Sequence, residues 1–152
     1  NADMKASSMF WGLSDEELSF DRQLRNIHVP DPDEPALANI IRVEVTKKIH
    51  GYRRQDGMRN IPIGPDFVTL PFVLGRLRDC QLTCAYCDHS VFIVYRNARY
   101  EYQWTLDRID NSQGHTVSNV VIACMKCNLA RRNINKEAFE NSKKLVIVKS
   151  HA

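Results

Sequence analysis

Two CxxC pairs constrain this chain more than any other feature. Cys84-Ala-Tyr-Cys87 and Cys124-Met-Lys-Cys127 are separated by 36 residues. Two residues between cysteines let both thiolates face one ion from a tight turn, and four thiolates suit a closed tetrahedral zinc site. We therefore predict a structural Zn²⁺ on these four cysteines, since four sulfurs leave no position open for water or substrate. Two matched pairs argue against the alternatives, which are free core cysteines and a redox pair.

Composition narrows the class of protein. The chain has 152 residues, of which 43% are hydrophobic and 26% charged, which is typical of one globular domain and excludes a fully disordered chain. The uncharged apolar runs at 67–75 and 117–125 are too short to cross a bilayer, and the first residues lack the apolar core of a signal peptide. Cysteines used as metal ligands favour an intracellular protein of the cytoplasm or nucleus, without a membrane partner.

Charge is distributed unevenly along the chain. Residues 1–40 carry a net charge of −5, whereas residues 41–152 carry +8. A cationic body behind an acidic leader predicts a polyanionic partner for the body, with a merely solvated surface as the alternative.

The pattern divides the chain into three segments. Residues 1–35 form an acidic helix, starting at Ser14 with Glu17 as its capping partner and ending near Asn26, and a Pro-rich linker. Residues 36–79 form a basic helical segment. One helix starts at Pro35, has a stripe at four-residue spacing and ends at Gly51; a loop covers 52–60, and a second helix covers 69–79. The stripe consists of Leu37, Ile41, Val45 and Ile49.

Residues 80–152 form the predicted zinc-bound segment. Strands are expected at 91–96, 102–106, 119–123 and 145–148, and helices at 127–133 and 136–142. The predicted fold class is therefore α+β.

The stretch between and just after the cysteine pairs reads WTLDRIDNSQGHTVSNVVIACMKCNLARR, from Trp104 to Arg132. It resembles the HNH (His-Me finger, ββα-metal) endonucleases over about residues 84–133. It is most similar to the zinc-bearing subgroup with a final CxxC-Asn, as in phage recombination endonucleases and HNH-like proteins of large DNA viruses. The resemblance implies a zinc-stabilised ββα-metal core with an N-terminal helical extension. It also implies a metal-dependent endonuclease that hydrolyses DNA phosphodiester bonds.

The resemblance also assigns roles to individual residues. Asp107 and Asn128 would be the ligands of a catalytic Mg²⁺ or Mn²⁺, and Asn119 would pin the loop through side-chain to backbone bonds. A magnesium-class ion prefers oxygen ligands and keeps several waters, so one or two protein ligands suffice. The alternatives are a surface turn acid for Asp107 and a helix N-cap for Asn128.

One position departs from the family. Most HNH enzymes have a water-activating histidine directly after the aspartate, where this sequence has Arg108. Arginine stays protonated and is a poor base. Three outcomes stay open. His115 serves as the base, or the cation alone activates the water while Arg108 clamps the phosphate, or cleavage is lost and only binding remains. Ordinary hydrogen bonding in a turn is the alternative for His115.

Basic residues are the candidate nucleic-acid contacts. Because HNH folds lay the final helix along DNA, Arg131 and Arg132 are the first choice, with Lys126 beside them. An upstream cluster is formed by Lys47, Lys48, Arg53, Arg54 and Arg59. Such contacts give affinity for DNA or RNA with little sequence specificity. Besides the nuclease, two other functions fit the sequence: a non-catalytic zinc module that binds DNA or RNA, and a partner-binding adaptor.

Overall fold

The computed structural model describes residues 12–132, 134 and 138–142. Six elements follow one another along the chain: α1 (Phe20–His28), α2 (Pro35–Met58), α3 (Leu70–Asp79), β1 (Trp104–Arg108), β2 (Val120–Cys124) and α4 (Met125–Arg131). Residues 138–142 are helical as well. The prediction of a mixed α+β fold is confirmed, while the strand predicted at 145–148 lies outside the described residues.

The first helix starts later than predicted. Ser14 and Glu17 do form the reciprocal capping pair, with N···O distances of 3.0 and 3.2 Å. The chain then makes a turn over 15–18, and α1 begins after Ser19, whose hydroxyl accepts the N–H of Arg22. The pair therefore stabilises the turn that leads into the helix rather than the helix itself.

Helix α2 is longer than predicted, and this changes the site. Its start at Pro35 and its buried stripe are confirmed, but the helix passes through Gly51 and ends at Met58. The predicted loop over 52–60 is wrong because Tyr52 and Asp56 continue the buried stripe, which outweighs the cost of about 1 kcal/mol for each of the helical glycines Gly51 and Gly57. The last two turns of α2 thus carry a buried phenol and a buried carboxylate towards β1.

The predicted strand at 91–96 is not a strand. Gln23 of α1 is fully buried and replaces a neighbouring strand there. Its Oε1 accepts the N–H groups of Ile93 and Val94 at 2.9 and 3.0 Å, and its Nε2 donates to the Val94 carbonyl at 2.8 Å. The side-chain amide satisfies the backbone of Ile93 and Val94, and Phe92 forms only an isolated bridge to Gln103, so no ladder continues along the segment.

The two strands form an antiparallel hairpin that leads directly into α4. Trp104 pairs with Cys124 and Arg108 with Val120, close to the positions predicted for these strands. One hydrophobic core extends from Leu13 to Phe139 and includes both the N-terminal helices and the zinc region. None of the helices in the described part of the chain combines the length and the apolarity that crossing a lipid bilayer requires.

Candidate functional site

The four predicted zinc ligands come together. The Sγ atoms of Cys84, Cys87, Cys124 and Cys127 all lie within 4.8 Å of one another, with Cys87 and Cys124 at 3.9 Å. Sulfurs around a tetrahedral zinc with bonds of about 2.3 Å are separated by roughly 3.8 Å. The backbone N–H groups of Tyr86 and Cys127 donate to the sulfurs of Cys84 and Cys124 at 3.4 Å, and such hydrogen bonds orient ligands in metal sites. The cluster is therefore positioned to bind a metal ion, and its chemistry suits zinc.

A cavity of about 480 Å³ opens beside this cluster, between the end of α2, strand β1 and α4. Five of the predicted site residues line it: Asp107, Arg108, His115, Asn128 and Arg132. Tyr52 and Arg59 of the α2 end line it too. Residues from four separate parts of the sequence thus share one water-accessible space.

Asp107 is held from one side and free on the other. The residue is only 4% exposed, and its Oδ2 accepts from the Tyr86 hydroxyl at 2.5 Å and from Arg131 Nη1 at 2.7 Å. No described residue hydrogen-bonds Oδ1. Because Asp107 lines the cavity, one carboxylate oxygen is satisfied by protein and the other is left for a ligand.

The amide of Asn128 has a fixed orientation. Thr105 Oγ1 donates to the carbonyl of Ala123 at 2.8 Å, so it accepts the contact of 3.0 Å from Asn128. Nδ2 must therefore face Thr105 and the carbonyl of Leu106, and Oδ1 turns away from them without a partner among the described residues. Asp107 and Asn128 thus each keep one unpartnered oxygen, which is the donor type that Mg²⁺ and Mn²⁺ prefer.

His115 is buried against α2 and paired with a carboxylate. Its Nδ1 lies 2.7 Å from Asp56 Oδ1, its backbone N–H donates to Asp56 Oδ2 at 2.8 Å, and its ring stacks on Tyr52 at 4.4 Å. Burial lowers the pKa of His115 below its ordinary value, although the Asp56 carboxylate opposes the shift. The imidazole is therefore neutral at pH 7, with its proton on Nδ1, which donates to Asp56 Oδ1, and with the Nε2 lone pair unpartnered among the described residues.

The loop between β1 and β2 is held by two predicted site residues. Asn119 Oδ1 accepts the N–H of Asp110 at 2.9 Å, and its Nδ2 donates to the carbonyls of Asp110 and Gly114. Arg108 Nη1 donates to the carbonyls of Asn111 and Gln113 at 3.0 and 3.1 Å. Asn119 lies behind the cavity, whereas Arg108 lines it. Burial, then the charge of nearby Arg59, lowers the pKa of Arg108.

Two of the predicted nucleic-acid contacts have their cationic groups occupied by the protein itself, Arg131 as an interior residue and Lys48 as a half-buried one, which corrects the expectation for them. Arg131 is 1% exposed and binds Asp107 and the carbonyls of Arg108 and Ile109, so its guanidinium does not reach a phosphate on the surface. Lys48 donates to Gln103 and to the Trp104 carbonyl and lies 4.9 Å from the Trp104 ring centroid. Both cations were misjudged because a basic residue on a helix usually faces solvent.

The other predicted contacts are exposed. Arg132 lies at the rim of the cavity, where its backbone has a left-handed φ of 42°. Lys47 pairs with Glu44 at 3.1 Å, and Arg53 covers the ring of Phe67 at 4.7 Å. Arg54 and Lys126 are exposed as well.

Sequence reasoning missed the roles of two residues of the site, Asp56 and Tyr86. Asp56 fell within the predicted loop, and its burial follows only once α2 is extended past Gly51. Tyr86 lies between Cys84 and Cys87, and the CxxC spacing predicts metal ligands without indicating a role for the residues between them. The spacing Tyr52–Asp56, which continues the stripe of α2, was the available signal.

Comparison with known proteins adds no relative. No protein-family model, curated protein or solved structure matches the chain. The argument for function therefore depends on the geometry of the cavity and on the resemblance of the sequence motif.

Proposed function

We propose that this protein is a metal-dependent endonuclease that hydrolyses DNA phosphodiester bonds, and that β1, β2 and α4 with the cysteine cluster form a zinc-stabilised ββα-metal core of the HNH type. One observation carries the proposal. A single cavity combines two unpartnered oxygens, a neutral histidine with a free ring nitrogen, and three arginines. These are the groups that phosphodiester hydrolysis needs: cation ligands, a base and positive charge for the phosphate.

The cation ligands would be Asp107 Oδ1 and Asn128 Oδ1. Both residues line the cavity, and both have their other polar atom occupied by protein. Two protein ligands suit Mg²⁺ or Mn²⁺, which keep several waters. Bound there, the cation would supply positive charge to the scissile phosphate and to the departing oxygen.

The base would be His115. Nδ1 keeps its proton and donates it in a hydrogen bond to Asp56, so Nε2 is the atom that removes a proton from the attacking water. The water oxygen then bonds to phosphorus as the bond to the 3′ oxygen breaks, and this oxygen takes a proton from solvent. The products are a 5′-phosphate and a 3′-hydroxyl. In this arrangement His115 replaces the usual HNH histidine, whose position Arg108 occupies.

Three arginines would hold the substrate. Arg59, Arg108 and Arg132 come from the end of α2, the end of β1 and the residue after α4, and all line the cavity. Guanidinium groups bind phosphate oxygens in a forked geometry, and like charges gathered at one cavity favour an anionic ligand.

A nicking assay on supercoiled plasmid tests the proposal. The zinc-loaded protein should convert the plasmid to open circles with Mg²⁺ or Mn²⁺, and Asp107→Ala and Asn128→Ala should abolish this. His115→Ala should lower the rate by about 10²-fold or more. Asp79→Asn, an exposed carboxylate at the end of α3, is the matched control and should cut at the wild-type rate. A zinc-loaded protein that leaves plasmid, branched and single-stranded DNA intact with either cation contradicts the proposal.

A second function is favoured by one specific contact. Arg131 already neutralises Asp107 through a buried ion pair of 2.7 Å. This ion pair balances the carboxylate without a cation, as expected of a zinc module that binds DNA or RNA and does not cut it. Such a module would shift labelled DNA or RNA in a gel at low salt, without cleavage, and Asp107→Ala would not change its affinity.

A further inference from the structure

Both halves of the zinc cluster contribute a side chain to the same atom. Tyr86 lies between the zinc cysteines Cys84 and Cys87, and Arg131 lies one helical turn after Cys127. Their donors, the Tyr86 hydroxyl and Arg131 Nη1, converge on Asp107 Oδ2 at 2.5 and 2.7 Å. Two direct hydrogen bonds thus connect the proposed cation ligand to side chains that lie close to the zinc cysteines in the sequence.

Tyr86 is fixed on both sides. Its backbone N–H donates to the sulfur of Cys84 at 3.4 Å, and its ring, 7% exposed, packs edge-on against Phe139 with centroids 5.1 Å apart. The hydroxyl must donate, because an ionised carboxylate only accepts. A side chain restrained in this way defines the direction from which Oδ2 receives its hydrogen bond.

Arg131 is fixed as firmly. Nη2 donates to the Ile109 carbonyl at 2.6 Å, and Nη1 contacts the Arg108 carbonyl as well as Asp107. These carbonyls belong to the two residues that directly follow Asp107 in the chain. The guanidinium of Arg131 therefore binds both the Asp107 carboxylate and the backbone next to it. The end of β1 therefore cannot shift relative to α4 without breaking these bonds.

We propose that Tyr86 and Arg131 are positioning residues that hold Asp107 Oδ2, so that the zinc centre determines how Asp107 Oδ1 is presented to the catalytic cation. This inference rests on the proposed function, because it concerns the same cation site. A carboxylate without fixed donors turns about its Cβ–Cγ bond and exchanges its two oxygens. Two rigid donors on one oxygen remove this freedom, and outer-shell partners of this kind typically change metal affinity or activity by about 10- to 100-fold.

Tyr86→Phe tests the inference, because it removes the hydroxyl and keeps the ring packed against Phe139. Binding of Mn²⁺ is titrated by electron paramagnetic resonance on zinc-loaded protein, which reads the cation site without catalysis. We expect Mn²⁺ affinity to fall about tenfold while zinc content and melting temperature stay at wild-type values. In the nicking assay kcat should fall and the KM for plasmid should stay unchanged, since Tyr86 does not line the cavity.

Tyr102→Phe is the matched control. Tyr102 is also close to the cluster, where its ring stacks on His89 at 3.6 Å and shares a cavity wall with Cys87 and Cys127. This variant should bind Mn²⁺ as the wild type does. Equal Mn²⁺ affinity of Tyr86→Phe and wild type overturns the inference alone. A wild-type protein that binds no Mn²⁺ and cuts no DNA overturns the inference together with the proposed function.

Discussion

Replacing Asp56 by Asn tests the proposed base most directly, because it removes a charge and keeps the size of the side chain. In the wild type both carboxylate oxygens accept from His115, Oδ1 from the ring Nδ1 at 2.7 Å and Oδ2 from the backbone N–H at 2.8 Å. An asparagine offers only one acceptor and presents an NH₂ group at the other position. One of the two donors of His115 must therefore lose its partner.

The structure determines which contact is lost. A backbone N–H has no alternative state, and leaving it buried against an NH₂ group costs about 1–3 kcal/mol. The imidazole, in contrast, can move its proton from Nδ1 to Nε2 and accept from the amide. The asparagine thus selects the tautomer with the proton on Nε2, the atom that must accept the proton of water. The variant should therefore fold as the wild type does, but its His115 should be blocked as a base by the proton on Nε2.

The expected loss is large. A bias of about 1–3 kcal/mol between tautomers leaves roughly 15% to 0.6% of the productive form, and the imidazolium formed in the reaction also loses its neighbouring carboxylate. Together these effects predict a fall in kcat of about 10³-fold, within the range for the loss of an oriented base. The assay is single-turnover nicking of supercoiled plasmid with Mg²⁺, alongside melting temperature and zinc content. A folded, zinc-loaded Asp56→Asn protein that cuts at the wild-type rate would refute the assignment of His115 and Asp56.

Three further predictions follow from other contacts. The nicking rate should stay constant from pH 8 down to below about 6.5, the ordinary pKa of histidine, and should then fall tenfold per pH unit. The reason is that burial lowers the pKa of His115 and the base must be neutral. A fall that begins above pH 7 argues against His115 as the base. Gly114→Ala places a Cβ 2.6 Å from Asp56 Oδ2 and should cost about 1–3 kcal/mol in urea unfolding. Gly75→Ala, inside α3 and with nothing within 4 Å of the new Cβ, should instead stabilise the protein by up to about 1 kcal/mol. Burial lowers the pKa of Lys48 to about 7, so between pH 7 and 9 the unfolded chain holds a proton that the folded chain lacks, and stability gains up to about 1.4 kcal/mol per pH unit from this group. Lys48→Met should remove that part of the slope, and parallel pH profiles for variant and wild type would contradict it.

Local patterns in the sequence predicted the parts of the fold that depend on neighbouring residues. The start of α2 at Pro35, the start of α3 after Thr69 and the hairpin strands β1 and β2 follow from capping and β-branched runs. The CxxC spacing predicted the cysteine cluster for the same reason, because each pair is a local turn.

Contacts between distant residues were beyond the same reasoning. Gln23 replaces a strand 70 residues away, and Asp56 meets His115 across 59 residues. The inward orientation of Lys48 and the burial of Arg131 likewise depend on which acceptors the fold places near them. In each case a polar side chain is buried because a tertiary partner satisfies it, and no periodic pattern marks such a residue in advance.

In the proposed HNH-type nuclease, the arginine at the position of the usual histidine and the length of α2 are best understood together. Arg108 cannot serve as a base, and it hydrogen-bonds the carbonyls of Asn111 and Gln113 in the loop that carries His115. His115 needs a buried carboxylate to fix its tautomer, and only the extra turns of α2 bring Asp56 within 2.7 Å. If the base has moved from the strand to the loop, the helix must reach the loop as well. A helix ending at Gly51, as its sequence first suggests, would leave His115 an unoriented turn residue, so the length of α2 is itself an argument for the catalytic role of His115.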